Sequence, residues 1–261
     1  MKKKQRYFLE LSYKGTAYHG WQVQPNAVTV QEVLENALCT VFRQQIETVG
    51  CGRTDTGVHA KQFYAHFDLE EFAGEMDKSK VQSLNAVLPK DIAVHRIIEV
   101  EEDAHARFDA TERSYEYHIH FQKDPFKQDY SWLLRDVPDL EAMNEAASVI
   151  LEYRDFSCFS KSNTQVFTNN CLVSEAVWRR TDSGIVFRIT ADRFLRNMVR
   201  AIVGTLIPIG RGDFKPEGIR NIIESKNRSN AGTSVPACGL YLTRILYPYI
   251  DVEKESSEQE F

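Results

Sequence analysis

The chain has 261 residues, 43% of them hydrophobic, a formal net charge of −5 at pH 7 and five cysteines. This length buries a proper core without help from disulfides or metals, and cysteines that are odd in number and widely spaced, with no C-x-x-C pair, speak against a disulfide framework or a zinc knuckle. The charge is uneven: residues 251–261 hold five acids against Lys254, leaving the other 250 residues at −1, so a nucleic-acid partner is neither demanded nor excluded.

Nothing at the start reads as a signal peptide. Met1-Lys2-Lys3-Lys4 runs straight into a strand over 6–13, where Tyr7, Leu9, Leu11 and Tyr13 alternate on one face. Thr29-x-x-Glu32 has capping-box spacing and opens a helix whose apolar positions are Val30, Val33, Leu34, Ala37, Leu38, Val41 and Phe42. A glycine-rich loop over 50–60 comes next, then a strand over 62–69, a helix over 78–88 stopped by Pro89, and a strand over 92–100. The second half keeps this rhythm: a strand over 114–121, a helix over 140–151, strands over 172–179 and 185–190, a helix over 194–207, a short helix opening at Pro216, and a strand over 240–247. The apolar stretch 202–209 is too short to span a membrane and is interrupted by Gly204 and Pro208. The expected fold class is α+β: two similar halves, 1–104 and 105–250, meet at a shared sheet, and the cleft between them is the expected ligand site. The acidic tail 251–261 has too few apolar residues to order, and the cysteine usage points to the cytoplasm.

The loop Gly50-Cys51-Gly52-Arg53-Thr54-Asp55-Thr56-Gly57-Val58-His59-Ala60 reads as an active-site loop. Its three glycines allow positive φ and close approach of backbone to a ligand, which a core element does not need. Arg53 either pairs with Asp55 and keeps it ionised, or leaves it free and contacts a phosphate or base itself. On the expected helix over 194–207, helical spacing puts Arg193, Arg196 and Arg200 on one stripe opposite an apolar face. Arg200 lies midway along strongly apolar sequence, where a planar guanidinium suits a buried carboxylate. Tyr115 and Tyr117 project from one strand face; Tyr117 reads as core, while Tyr115 reads equally well as core or as a flat ring for a splayed-out base. His118 and His120 share the other face without a third ligand and read as ordinary strand residues. Asp55-Thr56-Gly57 and Asp182-Ser183-Gly184 imitate the paired motifs of two-lobed aspartic proteases. Such a dyad shares one proton, whereas Arg53 favours full ionisation of Asp55, and Asp182-Ser183-Gly184 reads as a hairpin turn.

Taken together, these segments resemble the TruA-type tRNA pseudouridine synthases along nearly the whole chain. The resemblance is carried by Tyr13-Lys14-Gly15-Thr16-x-Tyr18-x-Gly20-Trp21-Gln22-x-Gln24-Pro25, by Thr29-Val30-Gln31, and above all by Gly52-Arg53-Thr54-Asp55-x-Gly57-Val58-His59-Ala60. Leu84-Asn85, Leu88-Pro89, Ala106-Arg107-Phe108-Asp109-Ala110, Met198-Val199-Arg200, Ile202-Val203-Gly204-Thr205, Pro236-Ala237 and Gly239-Leu240 follow in order; Ala104 departs from an expected aromatic. The resemblance implies a fold of two ferredoxin-like halves sharing a mainly antiparallel sheet. It also implies isomerisation of uridine to pseudouridine at positions 38, 39 and 40 of the tRNA anticodon stem-loop by a cytoplasmic homodimer that needs no cofactor or metal. In this scheme Asp55 is the catalytic carboxylate, Arg200 pairs with it, and Tyr115 stacks on the flipped uracil and assists proton removal from C5. Leu240 packs against the base, Arg53 extrudes the target nucleotide, and Thr54 and Gly52 shape the loop. Arg193, Arg196 and Arg211 are expected to contact the RNA backbone. The competing reading is a noncatalytic RNA-binding protein using the same cleft, and Asp55→Asn separates the two, because a pure binder tolerates it.

Overall fold

A computed structural model describes residues 4–70, 76–161 and 168–250, so the expected acidic tail lies outside the described residues. In chain order the elements are β1 (Lys4–Tyr13), α1 (Val30–Phe42), β2 (Val49–Gly50), β3 (His59–Glu70), α2 (Lys78–Val87), β4 (Ile92–Val100), β5 (Glu112–His120), β6 (Trp132–Leu133), α3 (Leu140–Ile150), β7 (Val173–Thr181), β8 (Gly184–Ala191), α4 (Met198–Gly210), α5 (Gly218–Glu224) and β9 (Leu240–Leu246). Side-chain caps start three of the helices. Thr29 accepts from the Glu32 N–H, Asp77 from Ser79, and Asp139 from Glu141 and Ala142, each satisfying amides that a first turn leaves free. No helix among the described residues is long and apolar enough to cross a membrane.

Two helices begin later than their sequence patterns suggest. The expected helix over 194–207 starts only at Met198, because Asn197 takes a left-handed φ of 67° and the Asp192 carboxylate holds the chain after β8 by accepting from Arg193 and Leu172. Arg193 and Arg196 therefore lie on a loop, and the helical stripe linking them to Arg200 does not form. Likewise α5 starts at Gly218, one turn of chain being spent at Pro216.

The strands form one nine-stranded sheet in the order β4-β1-β3-β9-β5-β8-β7, with β2 beside β3 and β6 beside β5. Counting strands within each set, β4-β1-β3-β2 and β9-β5-β8-β7 both read fourth, first, third, second, the ferredoxin-like order. The turn between Thr181 and Gly184 closes the β7–β8 hairpin, so Asp182 sits at a hairpin tip and the protease-like pairing with Asp55 is ruled out. Because β2 has two residues and covers only Ala65 and His66 of β3, the start of β3 is free to pair in parallel with β9 through His59–Tyr241 and Ala60–Leu242. The two sets are thus sewn together at the place where the glycine loop runs from β2 to β3. One core gathers Leu9, Leu11, Leu34 and Phe63 around α1, and the other gathers Tyr117, Trp178, Phe187 and Ile202 around α3 and α4; Tyr115 packs against both.

A charged bridge crosses the same junction. Glu116 of β5 takes hydrogen bonds from His118 and from Lys61 of β3, each at 3.0 Å. The His118 bond, and then Lys61, hold the Glu116 carboxyl down from 4.5 to about 2. A depressed carboxylate contributes stability that is complete above its unfolded value and disappears as pH falls through the folded one. Glu116→Gln is therefore expected to flatten the acid limb of Tm against pH between about 4.5 and about 2; an unchanged limb would show that the bridge contributes nothing.

Candidate active site

The glycine loop is held from both sides. Trp21 N–H donates to the Thr54 carbonyl at 3.2 Å, Gly57 N–H to Tyr18 at 3.3 Å, and Cys51 N–H to Tyr64 at 2.7 Å. Thr54, 7% exposed, shares a 2.8 Å hydrogen bond between its hydroxyl and that of Tyr13. Gly57 carries a φ of 77°, the left-handed turn that aims the next residues back into β3. His59 closes the loop: its Nδ1 accepts from Gly15 N–H at 3.1 Å and its Nε2 donates to the Cys238 carbonyl at 3.2 Å. Burial lowers the His59 pKa and keeps the ring neutral, as an accepting Nδ1 requires. These supports come from the opening motif over 13–25, whose spacing marks no chemistry of its own, so sequence reading left them without a role.

Gly20 shows how tight the seat is. It has a φ of 86°, and a Cβ there would lie 2.4 Å from the Thr54 carbonyl oxygen. Gly20→Ala is expected to cost about 1–3 kcal/mol of stability and to lower turnover by moving the loop. A variant with wild-type Tm and rate would show that the loop does not depend on this contact.

At the crest of the loop sits Asp55, half-buried. Arg200 Nη1 lies 3.7 Å from Oδ2 and Arg196 Nε 3.5 Å from Oδ1. The two guanidiniums differ. Arg200 is 20% exposed in its side chain, and its Nε donates to the Val235 carbonyl at 2.7 Å. Arg196 is 59% exposed and hangs from the loop before α4. Two positive groups on one carboxylate favour its ionised form. Sequence spacing anticipated the Arg200 pair, whereas the Arg196 pair comes from the loop geometry.

Tyr115 stands on β5 at the junction of the two cores, with Phe194 edge-on at 5.0 Å. Burial, then Cys51 and Asp55, push its phenol well above the ordinary value, so it stays a neutral hydroxyl. Tyr117 is fully buried and donates to the Pro236 carbonyl at 2.8 Å, which makes it the core residue its pattern suggested. Leu240 is 6% exposed and lies opposite Tyr117; it is Leu242 that lies opposite Tyr115.

Of the other expected contact residues, Arg53 is exposed on the loop. Gly52 is half-buried, and a Cβ there would meet nothing within 4 Å, so packing does not require glycine at that point. Arg193 donates to the Thr168 carbonyl at 3.3 Å. Arg211 is not part of this group. It caps the far end of α4, roughly 16 Å along the helix from Arg200, and pairs with Asp136 at 3.2 Å. A concavity of about 1300 Å³ lined by Glu10, Gln62, Tyr64, Arg96, Glu116 and Arg188, among others, does not include Asp55. The expectation that a deep cleft marks the site therefore fails, because the space over Asp55 is taken up by its own arginines.

A model of the family described as tRNA pseudouridine synthase matches residues 11–109 and 153–248. Asp55, Arg196 and Arg200 lie inside the matched segments, and Tyr115 lies between them. The chain is 51% identical over 243 residues to the tRNA pseudouridine synthase A of Parabacteroides distasonis, covering 93% of this chain and 96% of that one. It is 50% identical over 245 residues to the enzyme of the same name from Bacteroides fragilis, covering 94% and 97%. With that of Porphyromonas gingivalis it shares 49% over 245 residues, covering 93% and 97%.

Proposed function

The chain belongs to the tRNA pseudouridine synthase family and is an isomerase of uridine in tRNA, and from this premise we propose that Asp55 is its catalytic carboxylate and that its targets are positions 38, 39 and 40 of the anticodon stem-loop. The observation that carries the assignment is the single carboxylate of Asp55 held between Arg196 and Arg200 beside a neutral Tyr115.

The reaction breaks the bond from uracil N1 to ribose C1′, turns the base, and joins C5 to C1′; N1 gains a proton and C5 loses one. Atoms and electrons balance within the nucleotide, so no redox or group-transfer cofactor is called for. Attack on C1′, attack on the ring and abstraction of a C2′ proton all need an ionised carboxylate near the sugar, which two flanking guanidiniums provide. The target must leave its stack to reach Asp55, at a cost of a few kcal/mol. Arg53, exposed on the loop two residues before Asp55, suits the role of filling the space the base leaves. Tyr115 offers a face to the uracil, and its neutral hydroxyl favours stacking over service as a free base. Leu240 supports that face through Tyr117, and Thr54 and Gly52 shape the approach. Arg193 and Arg196 remain as RNA-backbone contacts, and Arg211 is left out. The enzyme acts in the cytoplasm as a homodimer on this reading.

Tritium release from transcripts labelled at uridine C5 tests the target. Of transcripts retaining a single uridine within the stem-loop, those with it at 38, 39 or 40 are expected to release label. Release from uridine elsewhere, with none from these three, would overturn the assignment.

A further inference from the structure

The turn between β4 and β5 is built to hold two side chains outward. His105 N–H donates to Asp109 Oδ2 at 2.7 Å, Arg107 and Phe108 N–H donate to His105 Nδ1 at 3.1 and 3.3 Å, and Ala106 N–H donates to His66 Nδ1 at 3.1 Å. Tyr247 donates to the Ala106 carbonyl at 2.5 Å. With its amides satisfied the turn is rigid, and Ala104 and Ala106 are buried in the first core, yet Phe108 is 73% exposed. Its ring is backed by His105 at 4.3 Å, and the Arg107 guanidinium lies over it at 5.6 Å. A single exposed phenylalanine is ordinary; its surroundings are what distinguish this one.

Arg113, two residues before Tyr115, gathers three segments on one guanidinium. Nη2 donates to the carbonyls of Arg107 at 2.7 Å and Cys51 at 3.0 Å, and Nη1 to those of Asp192 at 2.8 Å and Ala110 at 3.1 Å. Each gathered segment carries a further arginine within two residues of the bonded carbonyl: Arg53, Arg107 and Arg193. Among the described residues none of these three makes an ion pair. The Arg107 pKa is lowered, first by burial and then by Arg53, Arg113 and Arg193. Mutual repulsion of this kind is relieved by a phosphate.

We propose that Arg107 and Phe108 bind the nucleotide next to the target uridine, its unpaired base stacking on the Phe108 ring and its phosphate taken by Arg107 with Arg53 and Arg193. The proposal rests on the tRNA-isomerase reading above and adds a second foothold for the RNA beside Asp55. Aromatic stacking tolerates any base, and a rigid exposed ring gives it little ordering cost.

The test is a kinetic and binding series on unmodified tRNA transcript with Phe108→Ala, Phe108→Trp and Arg107→Gln. Phe108→Ala is expected to raise KM and Kd about ten-fold, with kcat lowered less than KM is raised, and Phe108→Trp is expected to restore both to within about threefold. Arg107→Gln is expected to reduce the slope of log K against log salt by about 0.7–0.9. Active wild type with unchanged KM and Kd in Phe108→Ala, or loss shared equally by the Ala and Trp variants together with a lowered Tm, would overturn the foothold and leave the isomerase reading standing. Weaker binding by Phe108→Ala with no tritium release by wild type would keep the RNA contact and overturn the isomerase assignment instead.

Discussion

Asp55→Asn is expected to lower turnover by about 10⁴-fold or more while leaving the fold and tRNA affinity in place, as removal of a central catalytic group does when binding groups remain. The carboxamide has nearly the shape of the carboxylate, so the backbone bonds of the loop at Thr54, Gly57 and Cys51 need not change. What it lacks is the charge: it neither attacks carbon nor takes a proton from the ribose. Affinity is expected to hold or rise, since one negative charge is removed from a surface that meets phosphates. Tritium release from C5-labelled transcript and filter binding of the same transcript check the two halves of this expectation. Product formation at the wild-type rate would remove Asp55 from the centre of the chemistry.

Arg200→Ala is expected to cost about 10²-fold or more in kcat, the order found when a preorganised electrostatic partner is removed from a reaction centre. Its guanidinium bridges the Asp55 carboxylate and the Val235 carbonyl, so truncation both frees the carboxylate and unpairs an oxygen at the end of the segment leading to β9. Arg200→Lys is expected to recover only part of the loss, because a point charge cannot hold both partners in one plane. Arg196→Ala offers the contrast. That side chain is exposed and touches only the other carboxylate oxygen, so its loss is expected to fall mainly on KM. A steady-state comparison that finds Arg196 costing more in kcat than Arg200 would reverse their roles.

The strands, the capped helices and the glycine loop were legible because their signals are local. Thr29 with Glu32, the alternation from Tyr7 to Tyr13 and the hairpin at Asp182-Ser183 each depend on neighbours a few residues away. Asp55 stood out for the same reason, as a lone carboxylate between glycines. Local signals misled where a single residue changed the backbone. Asn197 in the left-handed region delayed α4 and moved Arg193 and Arg196 off the expected helical stripe, yet the loop so formed delivered Arg196 to the carboxylate by another path. The same helix carried Arg211 away from the site, since three turns of rise separate residues that share a face.

By itself, then, the sequence determined the order of elements, the loop that carries the chemistry, and the one carboxylate able to perform it, through periodicity, capping and glycine placement acting over short spans. Only the tertiary structure decided which side chains meet that carboxylate. The brevity of β2 leaves the start of β3 open to β9, and the register of β5 against β9 sets Leu242, not Leu240, opposite Tyr115. Arg113 draws three distant segments onto one guanidinium. Sheet register and hydrogen-bond satisfaction between residues far apart in the chain govern these meetings, and spacing along a sequence holds no record of them.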